Sequence, residues 1–186
     1  EGTLQTEKIE VVEIPFVELS DGRLAEQGYD GEKTYYIVYN PKDGSVKKES
    51  FLVEGQVTYE PIMNKDVETG QVLLPSNAIE YGTDKDLWDE TERFLDYWHE
   101  EEDRRERKID VGYVFTSYIA FGKHGLGMLP QIGGRRFLGS PGRGKTAKMQ
   151  TVGAVCYRPF YLAGCSSEAA IRRVFDLWHG TALMDE

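Results

Sequence analysis

The chain has 186 residues, of which 40% are hydrophobic and 12% aromatic, enough apolar material for the cores of one or two small domains. Its net charge of −10 is unevenly divided: residues 1–107 carry 12 Lys and Arg against 27 Asp and Glu, whereas residues 108–186 carry 10 against 5. The acidic first part argues against a nucleic-acid-binding surface there, and the excess positive charge of the second part suits a nucleotide.

Residues 1–82 are predicted to form a β-rich domain, whose role the sequence does not indicate. Residues 8–19 alternate partly and contain Pro15, which predicts an edge strand or a break between two strands. A hairpin is expected next, with strands over 35–39 and 46–53 around a turn at 40–44. Shorter strands are expected over 56–61 and 71–74, with a turn at 68–70.

An aromatic cluster accompanies these strands, formed by Tyr35, Tyr36, Tyr39, Phe51 and Tyr59. Such rings can stack on nucleic-acid bases, and they can equally form the core of a small sheet. The acidic surroundings favour the core.

A helical connector with a loop is predicted over residues 83–134. Thr83 can cap a long helix over 84–107 of about 35 Å, with an apolar seam and an outer charged face at 100–107 exposed to solvent. The seam consists of Leu87, Thr91, Phe94, Leu95 and Trp98. Residues 111–121 predict a further helix, and the glycine-rich residues 122–134 a loop.

A short apolar strand from residue 135 is expected to lead into a glycine-rich turn and a helix. Residues 139–146 have the spacing G-x-x-x-x-G-K-T of a phosphate-binding P-loop, in which glycines let backbone N–H groups wrap a polyphosphate. Lys145 would reach the phosphate oxygens, and the Thr146 hydroxyl would bind Mg²⁺. The residues expected to contact the nucleotide are Gly139, Ser140, Pro141, Gly142, Arg143, Gly144, Lys145, Thr146 and Ala147.

The last residues, 181–186, form a mostly apolar run that ends in Asp185 and Glu186, the pattern of a Walker B strand. In such sites the Asp holds Mg²⁺ and the Glu polarises the attacking water. Between the two motifs we expect a helix over 147–157, a strand over 160–164 and a helix from Glu168, capped by Ser166 or Ser167 and ended by Gly180. Residues 135–186 therefore predict the beginning of a doubly wound parallel α/β sheet.

The segment from residue 134 to residue 186 resembles the nucleotide-binding core of P-loop ATPases of the AAA+ and related classes. More narrowly, it is similar to ATPase domains of replication helicases and primase-associated proteins of phages, plasmids and archaeal elements. That family has a further strand with a polar sensor residue between the Walker A and Walker B strands, and an arginine finger in later elements. Because the chain begins at Glu1 and stops at Glu186, we expect it to be a fragment of a longer protein.

The motifs and the resemblance together imply a Mg²⁺-dependent ATPase in which Lys145 and Glu186 are catalytic and Thr146 and Asp185 hold the metal. The expected partners are ATP, single-stranded or duplex DNA, and further copies of the full-length protein. Two alternatives remain open: a non-catalytic nucleotide-binding or protein-interaction module, and a small-molecule kinase.

The cysteines and histidines do not predict a zinc site, because none of them stand at zinc-ligand spacing. Cys156 and Cys165 are expected to be free thiols, which fits a reducing cytosol. No apolar run approaches the roughly 18 residues of a membrane span. We therefore expect a cytoplasmic protein without a membrane partner.

Overall fold

The computed structural model of the chain describes residues 10–121, 134–138, 142, 144–164 and 166–185. The protein has a mixed α+β fold, and the chain forms two compact units. The first contains Glu1–Gly70 and Leu74–Ile79, and the second contains Gln71–Leu73 and Glu80–Glu186. The chain passes from the first unit to the second between Ile79 and Glu80, close to the domain boundary predicted near residue 82. The predicted loop over 122–134 lies outside the described residues except for Gly134.

The first unit consists of two small sheets and one short helix. Its elements are β1 (Glu10–Glu13), β2 (Phe16–Glu18), β3 (Leu24–Tyr29), β4 (Thr34–Tyr39), β5 (Val46–Glu49), β6 (Leu52–Glu54), β7 (Val57–Glu60) and α1 (Lys65–Glu68). Strands β2, β3, β4 and β5 form an antiparallel sheet in that order. In the other sheet β7 is central, parallel to β1 and antiparallel to β6.

The predicted strands of this unit are confirmed in part. Pro15 separates β1 from β2, and the hairpin β4–β5 turns through Gly44 with φ of +71°. The predicted single strand over 46–53 is wrong, because its second half is β6 and belongs to the other sheet. No strand covers 71–74, where Val72 makes an isolated bridge to Phe160. Strand β3 has no clear sequence signal, since its six residues include a glycine and two polar side chains.

The core of the first unit is apolar, with one buried amide. Its cluster consists of Val17, Leu19, Ala25, Tyr36, Val38 and Leu52. The fully buried Gln27 donates from Nε2 to the Ile62 carbonyl (2.7 Å) and accepts from the Ile62 N–H (2.9 Å). Of the predicted aromatic cluster, Tyr35 and Tyr36 are buried, whereas Tyr39 and Phe51 are 42% and 55% exposed. Only part of that cluster is therefore core.

The predicted long helix over 84–107 is wrong, because residues 99–103 divide it into α2 (Asp84–Trp98) and α3 (Arg104–Phe121). Thr83 caps α2 in a capping box with Asp86, as expected. Four consecutive acidic residues, 100–103, are unfavourable at the C-terminus of α2 and favourable at the N-terminus of α3. Arg107, expected in the solvent-exposed run, is fully buried and donates to the carbonyls of Leu95 (3.2 Å) and His99. The predicted helix over 111–121 is confirmed as the second part of α3.

The remaining elements are α4 (Lys145–Ala154), β8 (Pro159–Ala163), α5 (Glu168–Trp178) and β9 (Thr181–Asp185). They confirm the predicted helix–strand–helix–strand order. Strands β8 and β9 are parallel, with Ala163 opposite Asp185. Ser167 caps α5, but His179 rather than Gly180 adopts the left-handed conformation after it (φ +46°).

The strand predicted before the glycine-rich turn is wrong for the described residues, because 134–138 pair with no other strand. Only Phe137 and Leu138 are apolar there, and Leu138 is 85% exposed. In the described part of the second unit, the sheet is thus the parallel pair β8–β9, and a doubly wound sheet is not shown.

The helices of the connector pack on α4, and α4 packs on β9. Their shared apolar cluster contains Leu95, Val111, Val114, Val152 and Cys156. Both connector helices, α2 and α3, contact α4. Gly153 allows the close approach of α4 to β9, because an added Cβ would lie 2.3 Å from Leu183 Cδ2.

Within the described part of the chain, every helix is too short or too polar to cross a membrane.

Candidate functional site

The start of α4 is shaped by glycine. Gly142 and Gly144 have φ of +76° and +72°, a left-handed conformation that glycine adopts without a steric penalty. Gly144 is the N-cap residue of α4, and no side chain caps the helix there. The N-terminal amides of α4 thus begin at a position where the backbone can approach a ligand, and the helix dipole favours an anion.

Thr146 and Asp185, the two predicted metal ligands, lie next to each other. Thr146 is in the first turn of α4, and Asp185 is the last residue of β9. The Thr146 hydroxyl donates a hydrogen bond of 2.9 Å to Asp185 Oδ2, although 39 residues separate the two in sequence. Both side chains are exposed, so a ligand can reach them. The carboxyl end of a parallel strand is where α/β folds usually bind ligands.

A cavity of about 520 Å³ opens beside this pair, a volume within the usual range of ligand-binding pockets. Its walls include the side chains of Lys145, Thr146 and Asp185. The other lining residues are Arg135, Arg136, Phe137, Leu138, Met149 and Met184. The cavity is therefore lined by cationic, hydroxyl and carboxylate groups together.

The predicted site residues divide into two sets. The structure brings together Lys145, Thr146 and Asp185, with Gly142, Gly144 and the exposed Ala147 next to them in sequence. The others lie outside the described residues: Gly139, Ser140, Pro141, Arg143 and Glu186.

The donor set at Thr146 and Asp185 fits Mg²⁺, which binds protein through one or two oxygen ligands and completes its shell with water and phosphate oxygens. Among the described residues no group of three or more His, Cys, Asp or Glu could hold a metal ion.

A group of charged residues that sequence reasoning missed surrounds the start of α4. The carboxylates of Glu101, Glu106 and Asp110 pair with the cations of Arg135 and Lys148. The Lys148 hydrogen bond lowers the pKa of Glu101. Burial would lower the pKa of Arg135, but its hydrogen bonds to Glu106 and Asp110 outweigh this and raise the pKa. The residues of these ion pairs are 25 to 47 positions apart in the sequence, so no spacing pattern predicts them.

Cys156 is a buried free thiol, as expected. Burial raises its pKa to about 12, although the Ser117 hydroxyl, through a hydrogen bond, acts in the opposite direction. Cys165 and His124 lie outside the described residues.

Comparison of the chain with protein-family models, with curated proteins and with solved structures finds no match.

Proposed function

We propose that the second unit binds Mg²⁺ and ATP at the loop 139–146 and hydrolyses the γ-phosphate. The observation that carries this proposal is the hydrogen bond between Thr146 and Asp185. A hydroxyl after a glycine-rich loop and a carboxylate at the end of a parallel strand are the two protein groups that hold Mg²⁺ in P-loop NTPases. The spacing of the loop predicts only the first of them, so their contact supports the assignment independently.

Each residue of the site would have a distinct role. The backbone amides of the loop and of the first turn of α4 would bind phosphate oxygens, and Lys145 would neutralise their charge. Thr146 and Asp185 would hold Mg²⁺, which supplies charge neutralisation at the phosphates. Glu186 follows Asp185 directly and would orient the attacking water and accept its proton. The products would be ADP and inorganic phosphate.

The parallel pair β8–β9 would belong to the wider doubly wound sheet that the resemblance implies. The lining of a cavity of about 400 Å³ includes Arg135, Arg136 and Phe137 together with residues 181–184 of β9. In the family, a further strand lies between the Walker A and Walker B strands. We propose that such a strand would lie at this cavity.

The resemblance further suggests a cytoplasmic motor that acts on DNA and assembles from several copies of the full-length protein. The positive balance of residues 108–186 is compatible with this. Turnover that single-stranded DNA stimulates would favour the motor, whereas binding without turnover would favour a non-catalytic module. Phosphate transfer to an added small molecule instead of water would favour a kinase.

The test is a titration of the chain with a fluorescent ATP analogue in the presence of Mg²⁺. We expect saturable binding that Lys145→Ala abolishes, because the variant loses the cation at the phosphates. Lys47→Ala is the matched control, since Lys47 is an exposed lysine of β5 in the first unit. Equal binding by wild type and Lys145→Ala would refute the assignment. An ATPase assay with and without single-stranded DNA follows on the same proteins.

A further inference from the structure

Asp110 is a fully buried carboxylate in the middle of α3, a helix that packs mainly apolar side chains on α2 and α4. A buried charge costs several kcal/mol unless it is paired and hydrogen-bonded. Its pairing therefore indicates which parts of the chain the carboxylate holds together.

The two oxygens of Asp110 contact one residue before and one residue after the glycine-rich loop in the sequence. Oδ1 accepts from Arg135 Nε at 2.9 Å, and Oδ2 lies 3.2 Å from Lys148 Nζ. Arg135 precedes the loop by four residues, and Lys148 follows Thr146 by two. One carboxylate thus connects the segment that enters the loop to the helix that leaves it.

Other contacts hold the same two cations. Arg135 also pairs with Glu106, and Lys148 also pairs with Glu101. The Arg135 Cζ and the Lys148 Nζ lie 5.3 and 5.5 Å from the centre of the Phe137 ring. The Arg135 and Lys148 side chains are 20% and 12% exposed, so solvent screens these pairs only weakly.

We propose that Asp110 is a positioning residue for the P-loop: through Arg135 and Lys148 it fixes the distance between the two ends of the loop. This inference rests on the proposed function. Asp110 does not line the cavity beside Lys145 and Thr146, so it acts through its two partners. Backbone amides bind phosphate tightly when their spacing is set before the ligand arrives, because less conformational entropy is lost on binding.

The experiment compares Asp110→Asn with the control Asp96→Asn, which removes the same charge from a carboxylate that is 37% exposed. Asp96 accepts from Nε of the fully buried Arg107 at 2.8 Å. Its variant therefore also leaves a buried cation without a carboxylate partner, but it leaves the contacts of Asp110 with Arg135 and Lys148 in place. Lys148→Gln is a second test variant that keeps Asp110 paired with Arg135, in case Asp110→Asn does not fold. All proteins are measured at a temperature at which circular dichroism shows them folded.

Two readings are taken: the affinity for a fluorescent ATP analogue with Mg²⁺, and hydrogen exchange of the ligand-free peptide covering residues 134–150. Asp110→Asn is expected to weaken binding about tenfold or more and to accelerate exchange in that peptide, with Lys148→Gln changing both in the same direction. Asp96→Asn is expected to lower the melting temperature without either effect.

The outcomes separate the two proposals. If wild type binds nucleotide and Asp110→Asn behaves like Asp96→Asn in both readings, Asp110 is only a stabilising charge and the inference is overturned. If wild type does not bind nucleotide, the proposed function fails, and the exchange comparison alone then decides whether Asp110 positions the loop.

Discussion

Replacing Gly153 by Ala tests whether the contact between α4 and β9 sets the geometry of the site. Gly153 is buried in the last turn of α4 and faces Leu183, which is 5% exposed. An added Cβ would lie 2.3 Å from Leu183 Cδ2 and 2.6 Å from Cδ1. Ordinary carbon contacts need about 3.5 Å, so α4 and β9 must separate by about 1 Å or Leu183 must change its rotamer.

The magnitude follows from two opposing effects. Ala in place of Gly favours an exposed helix interior by about 1 kcal/mol, whereas overpacking a filled core costs about 1–3 kcal/mol. We expect a net loss of about 1 kcal/mol in the free energy of unfolding, which lowers the melting temperature by about 2–4 °C. Because Thr146 lies on α4 and Asp185 follows Leu183 by two residues, we also expect weaker Mg²⁺-dependent nucleotide binding.

The assay is thermal unfolding followed by circular dichroism, with the double variant Gly153→Ala, Leu183→Ala as its control. Leu183→Ala alone removes buried methyl groups and should cost about 2–5 kcal/mol. In the double variant the added methyl fills part of that space, so the two effects should sum to less than their separate values. A Gly153→Ala protein that is more stable than wild type by about 1 kcal/mol would refute the proposed close contact.

Three further predictions concern single residues. Gly180→Ala should prevent stable folding of the second unit, because an added Cβ would lie 2.1 Å from the Arg158 carbonyl oxygen. An unchanged melting temperature would contradict this prediction. Gln27→Met should lower the free energy of unfolding in urea by about 2–4 kcal/mol, because it leaves the buried N–H and C=O of Ile62 unpaired. A loss below about 1 kcal/mol would be inconsistent with these two hydrogen bonds. In a Cys165→Ser protein, Cys156 should resist alkylation at pH 8 until the protein unfolds, because its pKa of about 12 leaves almost no thiolate. Rapid alkylation of the folded protein would contradict the burial of Cys156. The protonated thiol should contribute its full share of the free energy of unfolding below about pH 9, and this contribution should fall as the pH rises towards 12.

Local signals predicted several elements of the second unit. Thr83 and Ser167 cap their helices as side-chain oxygens at helix N-termini do, and the apolar run ending in Asp185 forms the expected strand. The break in the predicted long helix could also have been predicted. The four negative charges of residues 100–103 do not stabilise the middle of a helix, but they do stabilise the N-terminus of a new one.

Pairing over long distances was not open to prediction. Strand β3 depends on its antiparallel neighbours β2 and β4, and its own alternation of apolar and polar residues is weak. Residues 134–138, before the glycine-rich turn, lack a described partner strand. The β-propensity of a segment does not form a sheet without a neighbouring strand. In the candidate site, spacing predicted Lys145 and Thr146, but the role that we propose for Asp110 follows only from three-dimensional contacts with Arg135 and Lys148.

The Mg²⁺ dependence of nucleotide binding decides whether Thr146 and Asp185 form the metal site that we propose. The affinity for a fluorescent ATP analogue is measured with Mg²⁺ and with EDTA, for wild type and for Asp185→Asn. We expect Mg²⁺ to tighten binding to the wild type at least tenfold and to have little effect on Asp185→Asn, whose neutral amide is a poor ligand for a hard cation. An equal effect of Mg²⁺ on both proteins, or no saturable binding to either, would contradict the proposal.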